Sequence, residues 1–312
     1  MKKTFLIYNP ASGQRRARRE KQVGAIVQAF RGSGLEVEAS ATTHAGSAIQ
    51  QAKDAANAGF DTVIACGGDG TLNEVLNGVV ESSADAVLGV VPLGSGNLLA
   101  TDLRLPSDPL AAAKKLLHYK PRDIQPGVIV SQFGAKTQKR YFVVAAGVGS
   151  DAELMYRTAV ESKERYGRNA YFLEMFRMAL HGKYPMFQVE WTDEQGNRHK
   201  DEVTLVMAIR ARKFPGLLRF VNLGSEIARN DYRLLLFRTD KVRRFLSYFA
   251  SVASGINWKV RDIDLAFSKS FRCSALSSDG GRIYSQADGE LLGMLPVEVS
   301  IETKTVKLLM PD

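Results

Sequence analysis

Residues 61–80, DTVIACGGDGTLNEVLNGVV, constrain the fold more than any other stretch of the chain. They open with the apolar run Val63 to Cys66, which lies between an aspartate and two glycines and is typical of a buried parallel strand. Beyond the glycines, apolar residues recur at helical spacing, namely at Leu72, Val75, Leu76, Val79 and Val80. The stretch therefore predicts a strand, a glycine-rich turn and an amphipathic helix.

The turn Gly67 to Thr71 has the composition of a phosphate-binding turn. Its glycines let the backbone approach a bulky anion, and the start of the following helix supplies N–H groups and positive potential. Such turns also occur without a ligand. Asp69 distinguishes this one, because a carboxylate would repel a bare phosphate but suits Mg²⁺ or an ordered water beside a phosphate.

Composition places the chain among ordinary globular proteins. It has 312 residues, 45% of them hydrophobic and 24% charged, which is enough for two domains. The sequence contains no apolar run of membrane-spanning length, and its N-terminus is better explained as a first strand than as a signal peptide. Two distant cysteines favour a reducing cytoplasm. A net charge of +9 indicates an anionic partner such as a membrane surface, a nucleotide or a nucleic acid.

The first part of the chain, up to about residue 122, alternates strand-like runs with helical patterns. This predicts an α/β domain with an open parallel sheet over residues 1–122. Three unusual turns follow strands there: NPASG at 9–13, GGDGT at 67–71 and PLGSGN at 92–97. Because ligands gather at the carboxyl ends of parallel strands, these turns are expected to converge on one crevice.

From residue 123 to 312 the chain is predicted to form a mostly antiparallel β-sandwich with added helices, and the last few residues are expected to return to the first domain. The strand-like runs that predict it lie at 126–131, 140–146, 184–192, 201–210, 232–239, 256–267, 270–276 and 296–302. A basic run at the start of the first helix, which includes Arg16, Arg18 and Arg19, is interpreted as a solvated face, with a membrane or phosphate contact as the alternative.

Four motifs occur in order along the chain. They are Asn9-Pro-Ala-Ser-Gly13, Gly67-Gly-Asp-Gly-Thr-Leu-Asn-Glu74, Pro92-Leu-Gly-Ser-Gly-Asn97 and Asp288-Gly-Glu290. Together they resemble the diacylglycerol kinase catalytic-domain family, particularly its soluble bacterial lipid kinases; the family also includes sphingosine and ceramide kinases. The resemblance covers nearly the whole chain. NAD kinases and phosphofructokinase-like enzymes share GGDGT alone. Only the four motifs together distinguish the diacylglycerol kinase catalytic-domain family from them.

The resemblance implies ATP- and Mg²⁺-dependent phosphorylation of a lipid hydroxyl, with the nucleotide between the two domains. Glu290 is the expected catalytic carboxylate, and Asp69 the residue that handles the metal. Asp288 is expected to orient Glu290 or to bind a second cation. The expected nucleotide-binding residues are Asn9, Thr42, Gly67, Gly68, Asp69, Gly70, Thr71, Leu72, Asn73, Gly94, Ser95 and Asn97. Most relatives have threonine where this chain has Ser95, which keeps the hydroxyl.

A structural metal site is implied around Ala228, Asp231 and Arg233. Here the chain departs from the family pattern, because Tyr232 stands where glycine usually follows the aspartate. Altered backbone dihedrals there would weaken a site that uses carbonyl ligands. A second departure is Val144, where relatives often carry asparagine.

The expected partners are a lipid substrate and an anionic membrane surface, with no nucleic acid. The segment 211–220, ARKFPGLLRF, mixes basic and apolar residues and is the candidate for membrane contact. The aromatics of 153–181 are interpreted as core. These features predict a cytoplasmic protein at the inner face of the membrane. The oligomeric state stays open, a homodimer included.

Two alternatives remain beside the lipid kinase. An NAD kinase would share GGDGT, but the late Asp288-Gly-Glu290 speaks against it. A non-catalytic nucleotide-binding membrane sensor would bind ATP and vesicles without transferring phosphate. The sequence does not name the lipid, since diacylglycerol, phosphatidylglycerol, a sphingoid base and ceramide all present an accessible hydroxyl.

Overall fold

The computed structural model describes residues 1–10, 16–153, 156, 184–212, 226–241, 244, 263–276 and 282–312. These form two compact units. The first contains Met1–Pro126, Tyr141–Val143 and Glu302–Asp312, and the second contains Gly127–Arg140 and Val144–Ile301. For comparison, the sequence patterns put the domain boundary between residues 122 and 123.

The first unit is an α/β structure around a six-stranded sheet with the order β2-β1-β3-β4-β17-β5. All neighbouring strands are parallel except β17 and β5. The elements are β1 (Lys3–Tyr8), α1 (Arg16–Gly32), β2 (Glu36–Ala41), α2 (Ser47–Asn57), β3 (Thr62–Gly67), α3 (Asp69–Glu81), β4 (Val87–Pro92), α4 (Leu98–Asp102), α5 (Pro109–Leu116), β5 (Lys120–Ile124) and, from the end of the chain, β17 (Val306–Met310).

The burial of these elements follows from their residue patterns. Every residue of β3 is buried, as expected of a central parallel strand covered on both faces. The predicted apolar stripe of α3 is also buried. Asp108 caps α5 by accepting a hydrogen bond from the Ala111 N–H, with Pro109 in the first turn. The predicted parallel α/β fold of this part is therefore confirmed.

The strand order places a topological switch point between β1 and β3. The chain moves outward from β1 to β2 on one side, and from β3 to β4 on the other. At such a point the loops that leave the carboxyl ends of two adjacent strands diverge, and a crevice opens between them. The loops after Tyr8 and after Gly67 leave from these two ends.

The second unit is a mostly antiparallel β structure. Its strands are β6 (Gly127–Phe133), β7 (Lys136–Phe142), β8 (Ala145–Gly149), β9 (Phe187–Thr192), β10 (Arg198–Val203), β11 (Leu205–Ile209), β12 (Tyr232–Phe237), β13 (Ile263–Ser268), β14 (Ser270–Ala275), β15 (Tyr284–Ala287) and β16 (Glu290–Ile301). They follow the order β10-β9-β14-β16-β15-β8-β11-β12-β13, while β6 pairs with β16 and β7 with β6.

The antiparallel, β-rich character predicted for this part is confirmed. Where the sequence suggested two packed sheets, the described strands belong to one continuous sheet, because β8 hydrogen-bonds to β15 on one side and to β11 on the other. Within the described ranges, no helix combines the length and the apolar character needed to cross a membrane.

Candidate active site

The glycine-rich turn after β3 is the first turn of α3 itself. The helix begins at Asp69, three residues earlier than its apolar stripe suggested, and Gly68 is its N-cap. The Leu72 N–H donates to the Gly68 carbonyl at 3.0 Å. The N–H groups of Gly70 and Thr71 have no acceptor further back in the helix, so the positive end of α3 points out of the sheet at the switch point.

The two predicted glycine turns pack directly against each other. The Leu93 N–H donates to the Gly67 carbonyl at 2.9 Å. A Cβ added to Gly94 would collide with the Gly68 Cα, and one added to Gly96 would lie 2.6 Å from Asp69 Oδ2. GGDGT and PLGSGN therefore meet as expected, and glycine is required because the two backbones touch.

We expect Gly94→Ala to destabilise the protein by about 1–3 kcal/mol, the usual cost of overpacking a close contact. Nucleotide affinity should fall as well, because the methyl group would push the two turns apart. Thermal unfolding and ATP-binding titration would measure both effects. Gly24→Ala in α1 is the control: nothing lies within 4 Å of its added Cβ, so this change should stabilise by about 0.5–1 kcal/mol. Equal behaviour of the two variants would contradict the contact.

Asn97 closes the second turn on itself. Its Nδ2 donates to the Gly94 carbonyl at 2.7 Å, and its Oδ1 accepts from the Gly94 N–H at 2.9 Å. Asn97 adopts a left-handed conformation with φ of 52°, which asparagine tolerates better than most residues. The Gly94 N–H predicted to contact phosphate is therefore already used within the turn, while Ser95 at the tip is exposed.

Asp69 links the two turns through a hydrogen bond. Its Oδ1 accepts from the Leu98 N–H at 2.7 Å, at the start of α4. A carboxylate at a helix N-terminus satisfies an N–H group that has no intrahelical partner and interacts favourably with the helix dipole. The carboxylate is thus held at the switch point in a defined orientation.

Arg19 does not belong to a solvated face, so the interpretation of the basic run was wrong for this residue. The residue is only 2% exposed, and its Nη2 donates to the Leu93 carbonyl at 2.6 Å. Burial lowers the pKa of the Arg19 guanidinium. Arg16 and Arg18 are exposed, as expected. Arg19 thus fixes the start of the second glycine turn, directly after β4. The local charge pattern does not indicate this long-range contact.

The loop that carries Thr42 is held by Glu74 of α3. The two carboxylate oxygens of Glu74 accept from the Gly46 N–H at 2.8 Å and the Ala48 N–H at 3.0 Å, at the start of α2. The Thr42 N–H donates to the Tyr8 carbonyl at 2.8 Å, which places it beside Asn9. The same helix therefore presents the phosphate-type turn and braces the neighbouring loop. Glu74 was predicted only as the last residue of the GGDGTLNE motif, and its bracing role was not predicted.

Leu72 and Asn73 face the protein interior, since each is 1% exposed. Asn73 Nδ2 donates to the Tyr141 carbonyl at 2.8 Å, and Asn77 Oδ1 accepts from the Tyr141 N–H at 2.9 Å. These side chains bind the main chain of Tyr141.

Of the NPASG motif, Asn9 and Pro10 are described and residues 11–13 lie outside the described part.

Glu290 follows a two-residue turn between β15 and β16. Asp288 and Gly289 form this turn with φ values of 49° and 87°. Asp288 Oδ1 accepts from the N–H groups of Val144 at 2.9 Å and Ala145 at 3.0 Å. Its carboxylate therefore anchors the turn to the main chain at the start of β8. Glu290 is exposed and pairs with Ala287.

Gln286 braces the same turn. Its Oε1 accepts from the Gly289 N–H at 2.9 Å, and its Nε2 donates to Asp151 Oδ2 at 2.7 Å. Burial raises the pKa of Asp151. A Cβ on Gly147 would lie 2.8 Å from Asp151 Oδ2, so only glycine leaves room for this pair. Neither Asp151 nor Gln286 was among the predicted site residues.

Val144 acts through its main chain. Its carbonyl accepts from the Arg210 and Ala211 N–H groups at 2.9 and 3.2 Å, and its N–H donates to Asp288. The side chain is fully buried. These contacts do not depend on the side chain, which explains how valine is accommodated where relatives often have asparagine.

The residues around Asp231 do not fit a bound divalent cation. Arg229 Nε lies 3.0 Å from both Asp231 carboxylate oxygens. Buried Arg210 donates through Nη2 to the Ile227 and Arg229 carbonyls at 3.0 and 2.9 Å. The Arg229 guanidinium thus binds the carboxylate that a cation would need, and Arg210 binds two carbonyl oxygens of the same loop. Among the described residues, no three His, Cys, Asp or Glu side chains cluster as metal ligands.

The neighbours of Asp231 also have roles of their own. Tyr232 is buried and its hydroxyl donates to the Val299 carbonyl at 3.2 Å, while the Arg233 guanidinium lies 5.5 Å from the centre of the Phe267 ring. Ala228 supplies no ligating side chain. We therefore assign no step of the mechanism to a metal in this loop.

Comparisons with known proteins show which family the chain is similar to. A sequence model described as the diacylglycerol kinase catalytic domain matches residues 3–129. The diacylglycerol kinase of Bacillus subtilis (strain 168) is 30% identical over 314 residues, covering 100% of this chain and 97% of the relative. That of Staphylococcus aureus (strain bovine RF122 / ET3-1) is 27% identical, covering 95% of this chain and 88% of the relative.

A solved structure shows the same fold. The crystal structure of a diacylglycerol kinase from Bacillus anthracis str. Sterne has a TM-score of 0.72 at 19% identity, over 99% of this chain and 97% of that one. The chain belongs to the diacylglycerol kinase family. Its enzyme class is accordingly that of the lipid kinases, which are phosphotransferases.

Proposed function

We propose that this protein transfers the γ-phosphate of ATP to a hydroxyl of a membrane lipid, diacylglycerol or a related lipid, in a Mg²⁺-dependent reaction at the inner face of the membrane. One observation carries the proposal above the others: two glycine turns meet backbone to backbone at the switch point, directly in front of the N-terminus of α3. That arrangement suits the phosphates of a nucleotide.

The nucleotide would be bound mainly by main-chain groups. The N–H groups of Gly70 and Thr71 point out of the helix start, and Asn9 and Thr42 follow β1 and β2 at the same edge of the sheet. The exposed hydroxyl of Ser95 lies at the tip of the second turn. Phosphoryl transfer depends chiefly on positioning and charge stabilisation, which preformed main-chain donors supply without reorganisation.

Asp69 would hold Mg²⁺, and it fits that task because it is a carboxylate fixed at the switch point by the Leu98 N–H. Mg²⁺ dehydrates reluctantly and usually keeps several waters, so a single carboxylate beside phosphates is a sufficient protein contribution. When bound, the ion would neutralise the charge that develops on the transferred group.

Glu290 would act as the general base. It would accept the proton of the lipid hydroxyl as the oxygen bonds to the γ-phosphorus and the bond to the β-phosphate bridging oxygen breaks. The described contacts support this role, because Asp288 and Gln286 fix the turn that presents Glu290 while its own side chain stays exposed. General-base assistance typically contributes about 10² to 10⁴ in rate.

The test is transfer of labelled phosphate from [γ-³²P]ATP to a total lipid extract in mixed micelles, with products identified by mass spectrometry. We expect label in a lipid phosphate when Mg²⁺ is present. The same reaction with NAD in place of lipid serves as the specificity control. Label on NAD would favour an NAD kinase, and nucleotide binding without any transfer would favour a non-catalytic sensor; either result would overturn the proposal.

A further inference from the structure

The hairpin of β6 and β7 ends in an exposed aromatic residue. Phe133 is the last residue of β6, and the turn continues through Gly134, whose φ is 60°. Phe133 is 55% exposed, more than any other large hydrophobic residue that the structure describes. β7 hydrogen-bonds to β6 as a strand added at the side of the main sheet path. An aromatic ring at a hairpin tip is therefore presented to the surroundings.

The same hairpin carries positive charge without any acid. Residues 131–142 read SQFGAKTQKRYF, with Lys136, Lys139 and Arg140 and no Asp or Glu. Lys136 is exposed, and Arg140 is half-buried. An exposed ring next to clustered cations is the combination that binds the interface of an anionic bilayer, where the ring enters the headgroup region and the cations meet lipid phosphates.

We propose that the β6–β7 tip, residues 133–140, docks on anionic lipid bilayers. Its purpose rests on the proposed function, since a kinase with a lipid substrate has to reach that lipid. The segment 211–220, which the sequence suggested for this contact, lies outside the described part beyond Arg212. The β6–β7 tip, in contrast, lies wholly within the described part of the chain.

Charge favours a bilayer over a second copy of the chain. Among the described strands β7 pairs only with β6, so its other side offers backbone groups for pairing, and lysines on such an edge disfavour that pairing. Two copies meeting at β7 would bring their basic residues together, and like charges directly opposite each other destabilise a strand pair. An anionic surface instead complements the same charges.

The test is flotation of the full chain with vesicles of phosphatidylcholine alone or mixed with phosphatidylglycerol. We expect wild-type protein to bind the mixed vesicles and to release as salt is added. Lys136→Glu with Arg140→Glu should weaken binding by about 25-fold or more, because each of the two basic residues near such a surface contributes about fivefold. Phe133→Ser should weaken it several-fold.

Matched controls separate the hairpin from general charge and apolarity. Lys53→Glu with Lys200→Glu changes one half-buried and one exposed cation elsewhere and lowers the net charge from +9 to +5, as the hairpin pair does. Leu265→Ser removes another exposed apolar side chain, 41% exposed on β13. Both should bind nearly as wild type. In addition, Phe133→Trp should give blue-shifted emission with mixed vesicles only.

The outcomes distinguish this inference from the proposed function. If the hairpin variants bind vesicles as the wild type does and still phosphorylate micellar lipid, the docking surface would be overturned. The proposed kinase activity would be unaffected. If vesicle binding is lost in the hairpin variants but the wild-type protein transfers no phosphate to micellar lipid, only the proposed kinase activity would be overturned. A dimer that the hairpin variants dissociate, with vesicle binding unchanged, would show that a second copy covers this strand and would also overturn the inference.

Discussion

Replacing Glu290 with glutamine is expected to lower the rate of lipid phosphorylation by about 10²–10⁴-fold while the protein keeps its fold. Glutamine matches glutamate in shape but does not accept a proton at neutral pH. The Glu290 side chain is exposed, and the turn before it is held by Asp288 and Gln286, so the substitution disturbs no buried contact. The measurement is kcat with saturating ATP and micellar lipid, together with thermal unfolding.

Glu298→Gln is the matched control for this prediction. Glu298 lies on the same strand, is exposed, and forms an ion pair with Arg272 at the surface. Exposed pairs of this kind contribute about 0–1 kcal/mol to stability, so activity should be unchanged. Wild-type kcat in Glu290→Gln would remove this residue from the proton-transfer step. A large loss of thermal stability would show instead that the turn depends on the carboxylate.

Asp69→Asn is expected to lower kcat by about 10²-fold or more and to weaken the dependence on Mg²⁺. The asparagine Oδ1 can still accept the Leu98 N–H, so the cap of α4 is kept and only the charge is lost. Asp69→Ala removes both and should cost a further 0.5–2 kcal/mol or so in stability. Comparing the two separates the electrostatic role from the capping role by kinetics and unfolding.

Asp108→Asn provides the control, because Asp108 is a capping aspartate that lies outside both glycine turns. Asp108 accepts from the Ala111 N–H at 2.8 Å at the start of α5, as Asp69 does for α4. Its neutralisation should leave the kinetics and the Mg²⁺ dependence unchanged. If Asp69→Asn behaves like Asp108→Asn, then Asp69 is a helix cap with no part in handling the metal.

Much of the fold could be predicted because local patterns carry it. The apolar run of β3, the stripe of α3 and the Asp108-Pro109 start of α5 each reflect a local requirement for burial or capping. The meeting of GGDGT and PLGSGN also followed from local evidence, since parallel strands bring their carboxyl ends to one edge of a sheet. The short helix α4 and the strands β5, β15 and β17 were not predicted as elements, because their sequences are short and lack a clear period, although the return of the last residues to the first domain was expected.

The contacts that shape the candidate site were largely invisible in the sequence. Arg19 resembles its exposed neighbours in charge, but the packing of α1 on the sheet buries it against the Leu93 carbonyl. Gln286 and Asp151 are separated by 135 residues along the chain and meet only because β8 and β15 are neighbours. Such pairings depend on which strands lie side by side, and residue spacing does not record that.

The glycine turn of residues 67–71 shows both sides of this division. The sequence alone determined that a strand passes through glycines into a helix, because burial, backbone freedom and helical periodicity are local properties of the residues. Only the tertiary structure decided that the helix starts within the turn, that Asp69 caps α4, and that Gly94 touches Gly68. Those features arise where two chain segments meet, and their geometry follows from how the strands pack.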